Sequence, residues 1–379
     1  MESQRSVRQG NALVASVAAV VGMLGLGVQP LSAAFVPVTI YATAVNESTG
    51  NNGLFALNVT APNTFTTTKV DSGNYDSLVF DGNGNLLLTS PSGTMTVLGG
   101  FDTTLNTFAT KTTFLVTNDP VQSLHDITAE PTAVSLAAGI TPGHGSALIS
   151  DMGTGQIFRV DTTTGAATAL AGGHNYATNS FSPTGRPGPE GLAYVPNGAA
   201  STGYSLIATI GNRNQPGERA LAELDPLTGA ISSSNIKTGL SYNDGLGYDP
   251  GNGMLYSSDR AGVALYVDIS PLSLATYVVN EVAFPSDGNG FPVQQPDGVS
   301  PDGFGNVYVA NYDSIGTPGN IYMYDEAGGT PILAASLPGL DDIAPLVLLP
   351  GTGAPTPEPA SLAVLGLGAL AILARKYRR

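Results

Sequence analysis

Six acidic residues recur along the chain at the head of similar segments: Asp76, Asp126, Glu190, Asp244, Asp297 and Asp342, at intervals of 50, 64, 54, 53 and 45 residues. Carboxylates are hard oxygen ligands, so a ring of them suits Ca²⁺ or Mg²⁺. Each also stands before a Gly, Ser or Ile, where an acid commonly accepts backbone N–H bonds in a turn. Of the three histidines, His125 abuts Asp126. A His–Asp pair has the composition of a general base for ester or lactone hydrolysis, although a histidine held for structure has the same sequence appearance. His144, within Pro142-Gly143-His144-Gly145, reads as a loop residue, and His174 has no motif around it. The chain has no cysteine, no Gly-x-Ser-x-Gly elbow, no His-x-x-x-His or His-Glu pair and no Gly-x-x-x-x-Gly-Lys-Ser/Thr loop. A disulfide scaffold, a thiolate nucleophile, a zinc site and a phosphate cradle are therefore not expected.

The elements that must position these acids repeat with them. One unit runs Tyr75-Asp76-Ser77-Leu78-Val79-Phe80-Asp81-Gly82-Asn83-Gly84-Asn85-Leu86, another Asn243-Asp244-Gly245-Leu246-Gly247-Tyr248-Asp249-Pro250-Gly251-Asn252-Gly253-Met254. A third runs Pro296-Asp297-Gly298-Val299-Ser300-Pro301-Asp302-Gly303-Phe304-Gly305-Asn306-Val307. The Gly- and Asn-rich linkers supply the positive-φ residues of tight hairpins. Each interval holds four short β runs; in the last these are Val299–Ser300, Asn306–Asn311, Asn320–Tyr324 and Pro331–Ser336. Helical periodicity is absent between about 35 and 350. Four strands per repeat are the signature of propeller blades. Asp342–Leu349 is an inner strand with nothing after it, and Thr39–Val45, Gly53–Val59 and Thr64–Val70 are three strands with no inner strand before them. Joined, they complete a blade. The expectation is an all-β, six-bladed propeller over 35–350, closed by its own ends, with the leading acids around one mouth of the channel.

The two ends are of another kind. Arg5 and Arg8 precede an apolar run, Ala12–Val28, followed by Pro30 and the small residues Ser32-Ala33-Ala34. This order is that of a secretory signal over 1–34. At the other end, 351–359 is Pro-rich, Ala360–Ala374 is apolar and Arg375-Lys376-Tyr377-Arg378-Arg379 is basic. Fifteen helical residues span roughly 22 Å, short of the ~30 Å hydrocarbon core, so a transmembrane helix here relies on snorkelling basic ends or a thinned bilayer. The ends carry six of the 14 basic residues and two of the 29 acids, so the −15 of the whole chain becomes −19 over 35–354. That domain would attract cations and repel nucleic acid. Tyr and Phe are spread through the strands and read as blade packing.

The C-terminal 25 residues resemble a PEP-CTERM sorting signal, carried by Pro357-Glu358-Pro359, the Gly-spaced apolar run and the Arg-rich end. The resemblance implies cleavage of the leader by signal peptidase and processing near Pro357, Glu358 and Pro359 by an exosortase. It places the chain at the surface or in the extracellular matrix of a Gram-negative bacterium, held transiently in the inner membrane. Exopolysaccharide or surface proteins are the partners it implies. The repeat, best in Pro296-Asp297-Gly298-Val299 through Asn311, is similar to NHL-repeat and gluconolactonase-like propellers. In lactonase-like relatives a Glu, with Asn and Asp from other blades, holds a divalent metal. Glu190, in Pro189-Glu190-Gly191, occupies the matching place, and Asn243, Asp259 and Asn311 are the nearest further oxygen donors. The favoured function is a monomeric binding or structural protein of the biofilm layer. The alternative is a metal-dependent lactonase or esterase.

Overall fold

The structure, a computed structural model, describes residues 37–45, 52–81, 83–102, 107–120, 122–170, 189–198, 200–211, 219–231, 237–240, 243–259, 263–268, 278–283, 296–311, 319–325 and 331–346. The leader, His174, the Pro-Glu-Pro motif and the apolar tail lie outside these residues. Among those described, no helix is long and apolar enough to cross a membrane.

The fold is an all-β propeller. Five sheets are each made of four consecutive strands. Sheet 2 holds β4 (Leu78–Phe80), β5 (Leu86–Ser90), β6 (Thr94–Asp102) and β7 (Thr107–Leu115). Sheet 3 holds β8 (Leu124–Ala129), β9 (Ser146–Asp151), β10 (Gln156–Asp161) and β11 (Ala167–Ala169). Sheet 4 holds β12 (Leu192–Pro196), β13 (Tyr204–Gly211), β14 (Arg219–Leu224) and β15 (Lys237–Leu240). Sheet 5 holds β16 (Asn243–Asp249), β17 (Met254–Asp259), β18 (Val263–Asp268) and β19 (Val278–Ala283). Sheet 6 holds β20 (Pro296–Pro301), β21 (Asn306–Asn311), β22 (Gly319–Asp325) and β23 (Ile332–Leu337). Sheet 1 is composite: β24 (Leu340–Leu346) from the end of the domain pairs with β1 (Val38–Ala44), which continues into β2 (Gly53–Ala61) and β3 (Thr64–Asp71). Neighbouring strands are antiparallel throughout. The first strands of the sheets touch in cyclic order, β4, β8, β12, β16, β20, β24 and back to β4.

Apolar side chains on both faces of the inner strands explain this stacking. Leu86, Leu87 and Leu88 are all fully buried. Leu86 and Leu88 pack with Tyr41 and Leu54 of sheet 1, whereas Leu87 packs with Ile149 and Phe158 of sheet 3. A strand buried on both faces reads as a continuous apolar run, not an alternating one. Tyr41 meets Phe80, Phe101 and Phe108 edge-on at centroid distances of 5.5, 6.0 and 5.7 Å, so these aromatics do serve as packing between sheets.

Tight hairpins keep the inner strands in register. Asp81 Oδ1 accepts the N–H groups of Asn83 and Asn85, both at 2.8 Å. Asp302 does the same for Phe304 and Asn306, at 2.7 and 3.1 Å. Gly84 and Gly305 stand at φ 78° and 94° in these turns, a region open to glycine at little cost. One element was not expected: α1 (Thr132–Ala137) interrupts the β8–β9 connection. Six residues are too few to show a helical period, but Val134 plugs the core beside Leu148 and Leu192.

Candidate functional site

At the head of each inner strand two residues stand opposite one residue of the second strand. His125 and Asp126 fall between the pairs Leu124↔Asp151 and Ile127↔Ile149, opposite Ser150. Asp244 and Gly245 stand opposite Ser258, Asp297 and Gly298 opposite Ala310, and Asp341 and Asp342 opposite Thr43. These are β-bulges, which release backbone N–H groups from the ladder and re-aim side chains. Asp76 and Ser77 stand likewise against Thr89, and Glu190 and Gly191 against Thr209.

The second-strand hydroxyl takes over the released groups. It accepts the N–H of the second bulge residue: Asp342 N–H to Thr43, Ser77 N–H to Thr89, Asp126 N–H to Ser150, Gly191 N–H to Thr209 and Gly245 N–H to Ser258, at 2.7–3.1 Å. It then donates to the carbonyl of the first bulge residue in the next sheet. Thr43 donates to Asp76 O at 2.8 Å, Thr89 to His125 O at 2.6 Å, Ser150 to Glu190 O at 2.8 Å, and Ser258 to Asp297 O. A single hydroxyl thus satisfies one bulge and ties two sheets together.

This ladder corrects the register of the predicted acid ring. The equivalent first positions are Asp76, His125, Glu190, Asp244, Asp297 and Asp341. Asp126 and Asp342 occupy the second position, with Ser77, Gly191, Gly245 and Gly298. Glycine is needed at 245, where a Cβ would lie 2.7 Å from Asp297 O, and at 298, where it would strike the Asp342 carboxylate.

Asp76, His125, Asp126, Asp297, Asp341 and Asp342 do come together, around a cavity with about 20 Å³ of room for the centre of a water-sized sphere. That is enough for about one water. Glu190 is fully buried and does not line it. Asn243 pairs with Asp259, and Asn311 with Pro296, as backbone partners at strand ends; the side chains of Asn243, Asp244 and Asp259 are outside the described set.

His125 does not pair with Asp126. Its Nδ1 lies 3.5 Å from Asp76 Oδ2, across the sheet boundary. Asp126 turns instead to its own backbone and the next sheet: Oδ1 accepts from Ile127 N–H at 2.8 Å and Oδ2 from Leu192 N–H at 2.6 Å. Ser77 Oγ lies between two carboxylates, 3.0 Å from Asp126 Oδ1 and in a short contact with Asp342 Oδ2. One hydroxyl proton cannot serve both. Loss of water around Asp126, and the charge of Asp342 beside it, push the Asp126 carboxyl well above the usual range. A proton on Asp126 given to Ser77, with Ser77 donating to Asp342, satisfies all three groups. Away from the ring, His144 Nδ1 lies 2.9 Å from Asp161 Oδ2. This supports a turn whose other bonds run from Thr163 and Thr164 N–H to Asp161.

Among the described residues no three His, Asp or Glu side chains are grouped to hold an ion. The carboxylates of Asp126 and Asp342 are engaged by backbone N–H groups and Ser77.

A comparison with curated proteins gives no match. Among solved structures, the chain is similar to the calcium-binding protein regucalcin from Agrobacterium tumefaciens, at 15% identity over 70% of this chain and 75% of that one, TM-score 0.46. It is similar to a luciferin-regenerating enzyme at 13% identity over 71% and 78%, TM-score 0.48. A streptogramin B lyase gives 13% over 83% and 75%, TM-score 0.43. Residues 355–379 match the PEP-CTERM protein-sorting motif, the mark of processing by an exosortase.

Proposed function

We propose that the chain is an exported surface or matrix protein, sorted through its C-terminus, whose six sheets serve as the blades of a binding propeller. The observation that carries this is the sorting motif over 355–379. In this reading 1–34 directs export, 35–350 is the propeller, 351–359 is a stiff spacer, and 360–379 holds the chain in the inner membrane until the exosortase acts near Pro357-Glu358-Pro359. Polysaccharide or surface proteins of the biofilm layer are the partners. Binding is favoured over catalysis because Asp126 and Asp342 at the ring are engaged in holding bulged backbone.

Deleting 355–379 and fractionating the cells tests the sorting step. The full chain is expected at the surface or outside the cell, and the truncated chain in the periplasm. An unchanged distribution would refute the proposal.

A second reading, a divalent-cation-dependent lactonase or esterase, is favoured by the gathering of Asp76, His125, Asp126, Asp297, Asp341 and Asp342 around one cavity. Stoichiometric Ca²⁺, lost together with hydrolysis in Asp297→Asn, would support it. A chain that retains no Ca²⁺ and hydrolyses neither lactones nor esters would end it.

A further inference from the structure

A cleft of about 430 Å³ opens between sheets 1 and 2 at the rim, between the outer strands β3 and β7. That volume lies within the range of small-ligand pockets. Strand register decides which side chains enter it. Leu54 and Ala56 of β2 pack toward sheet 2, and side chains alternate along a strand, so Asn58 faces the same way. Thr66 stands opposite Asn58, and Thr68 opposite Ala56, which puts both hydroxyls on that wall. Phe55 and Leu57 face sheet 6 instead, and their cross-strand partners Lys69 and Thr67 go with them. The Lys69 ammonium lies 5.5 Å over the Phe55 ring, away from the cleft. The wall from sheet 2 is apolar: Leu98 packs against sheet 1, and half-buried Phe108 is held edge-on to Tyr41 at 5.7 Å. Lys111, opposite Leu98, crosses to Asp71 and closes one end of the cleft as an ion pair.

The cleft therefore carries no uncompensated charge. Among the described residues the side chains of Asn58, Thr66 and Thr68 make no hydrogen bond within the protein, whereas the hydroxyls of Thr43 and Thr89 are committed to the ladder. Hydroxyl and amide groups both donate and accept, so they complement a ligand whose own groups do both. A charged group entering here would lose its water without gaining a partner, and a chain of net charge −15 repels anions. We infer that this inter-sheet cleft binds an uncharged hexose unit of a polysaccharide, its hydroxyls on Asn58, Thr66 and Thr68 of sheet 1 and its apolar face on Leu98 and Phe108 of sheet 2. This deepens the binding reading of the propeller and rests on it.

The test is titration calorimetry on the full chain in mild detergent, with cellotetraose and maltotetraose as neutral probes and tetragalacturonate as the charged control. The tighter of the two neutral sugars should bind at least tenfold more strongly than tetragalacturonate. Thr66→Val with Thr68→Val should weaken it tenfold or more. Thr67→Val, on the same strand but turned to sheet 6, should leave it unchanged. All three positions are exposed, and an unaltered unfolding midpoint verifies that the fold is kept. No binding of either neutral sugar, tetragalacturonate binding as tightly as they do, or the same response to the double variant and to Thr67→Val would each overturn the assignment. Because the assay is performed on purified protein, its failure leaves localisation untouched, and a failure of sorting leaves the titration interpretable.

Discussion

Two boundaries between sheets use the same residue types to opposite ends. Between sheets 3 and 4 a buried cluster of polar groups holds the seam. Glu130, with a fully buried side chain, pairs with Arg159 at 2.7 Å. It also accepts from Tyr194 Oη at 2.7 Å and from Ser146 Oγ at 2.5 Å. Arg159 reaches on to the carbonyls of Pro226 and Leu227 in sheet 4's connection, at 2.6 and 3.3 Å. Between sheets 1 and 2 the inner end is locked by Thr43, but the rim opens into the threonine-lined cleft. Satisfied polar groups close a seam, and unsatisfied ones on open strands leave a surface for a partner. The teaching is that hydroxyl count says little; what matters is whether a bulge or a carboxylate stands opposite.

The largest effect should come from the closed seam. Glu130→Ala leaves Arg159 buried without its carboxylate, a change that typically costs about 3–5 kcal/mol. Surface substitutions such as Thr66→Val with Thr68→Val should stay within about 0.5 kcal/mol each. Urea denaturation measures both. Equal effects at the two seams would break the comparison. The tyrosine adds a check: burial first, and then the charge of Glu130, hold the Tyr194 hydroxyl well above its ordinary pKa, so its titration should move down in Glu130→Gln.

A smaller effect is expected at the ring, and it depends on pH. Asp126 has a carboxyl pKa raised in the folded state by loss of water and by Asp342. The folded protein therefore holds a proton that the unfolded chain, with Asp near 3.9, releases. Stability from this group rises as pH falls through the folded value and levels off below the unfolded one. Asp76, Asp297 and Asp341 face the same cavity with His125; lowering pH eases their mutual repulsion too. Asp342→Asn keeps an acceptor for Ile343 N–H and gives Ser77 a donor in place of a charge. It should stabilise the protein by about 1 kcal/mol at neutral pH, one pKa unit being about 1.4 kcal/mol, and flatten the pH dependence. A variant that is less stable and equally pH-dependent would show that Asp126 is not coupled to Asp342.

The sequence carried the fold further than the site. Asn306–Asn311 is a strand with the predicted bounds, and Val38–Ala44 and Leu340–Leu346 join as the lone strands at the two ends required. Local Gly- and Asn-rich turns and apolar runs suffice for that. The ring register was not legible, because His125-Asp126 and Asp341-Asp342 each offer two residues for one place. Which one leads is decided by the bulge, and the bulge is set by the strand opposite. The hydroxyl ladder was missed for a related reason: Thr43, Thr89, Ser150, Thr209 and Ser258 sit near the end of a second strand, and only pairing brings them beside the acids. That recurrence of a hydroxyl after a run such as Leu86-Leu87-Leu88 was the available signal.

The ladder also has a gap, which gives the smallest and most specific prediction. In sheet 6 the residue opposite the bulge is Ala310, fully buried. By the geometry of the other sheets, a hydroxyl there would accept from Gly298 N–H, as in five of them, and donate to the Asp341 carbonyl, as in four. That contact lies at the seam where sheet 6 meets the composite sheet, the point at which the chain's two ends are joined. Ala310→Ser places one polar atom in a packed core. Unbridged, it costs about 1–3 kcal/mol; bridged on both sides, it contributes about 0.5–1.5 kcal/mol of stability. The sign of the change in urea midpoint therefore decides the matter. A gain would make the second-strand hydroxyl a transferable seam lock, and a loss would show that the sixth seam is closed by the β24–β1 pairing and the apolar packing of Ile40, Tyr308 and Ile321 alone.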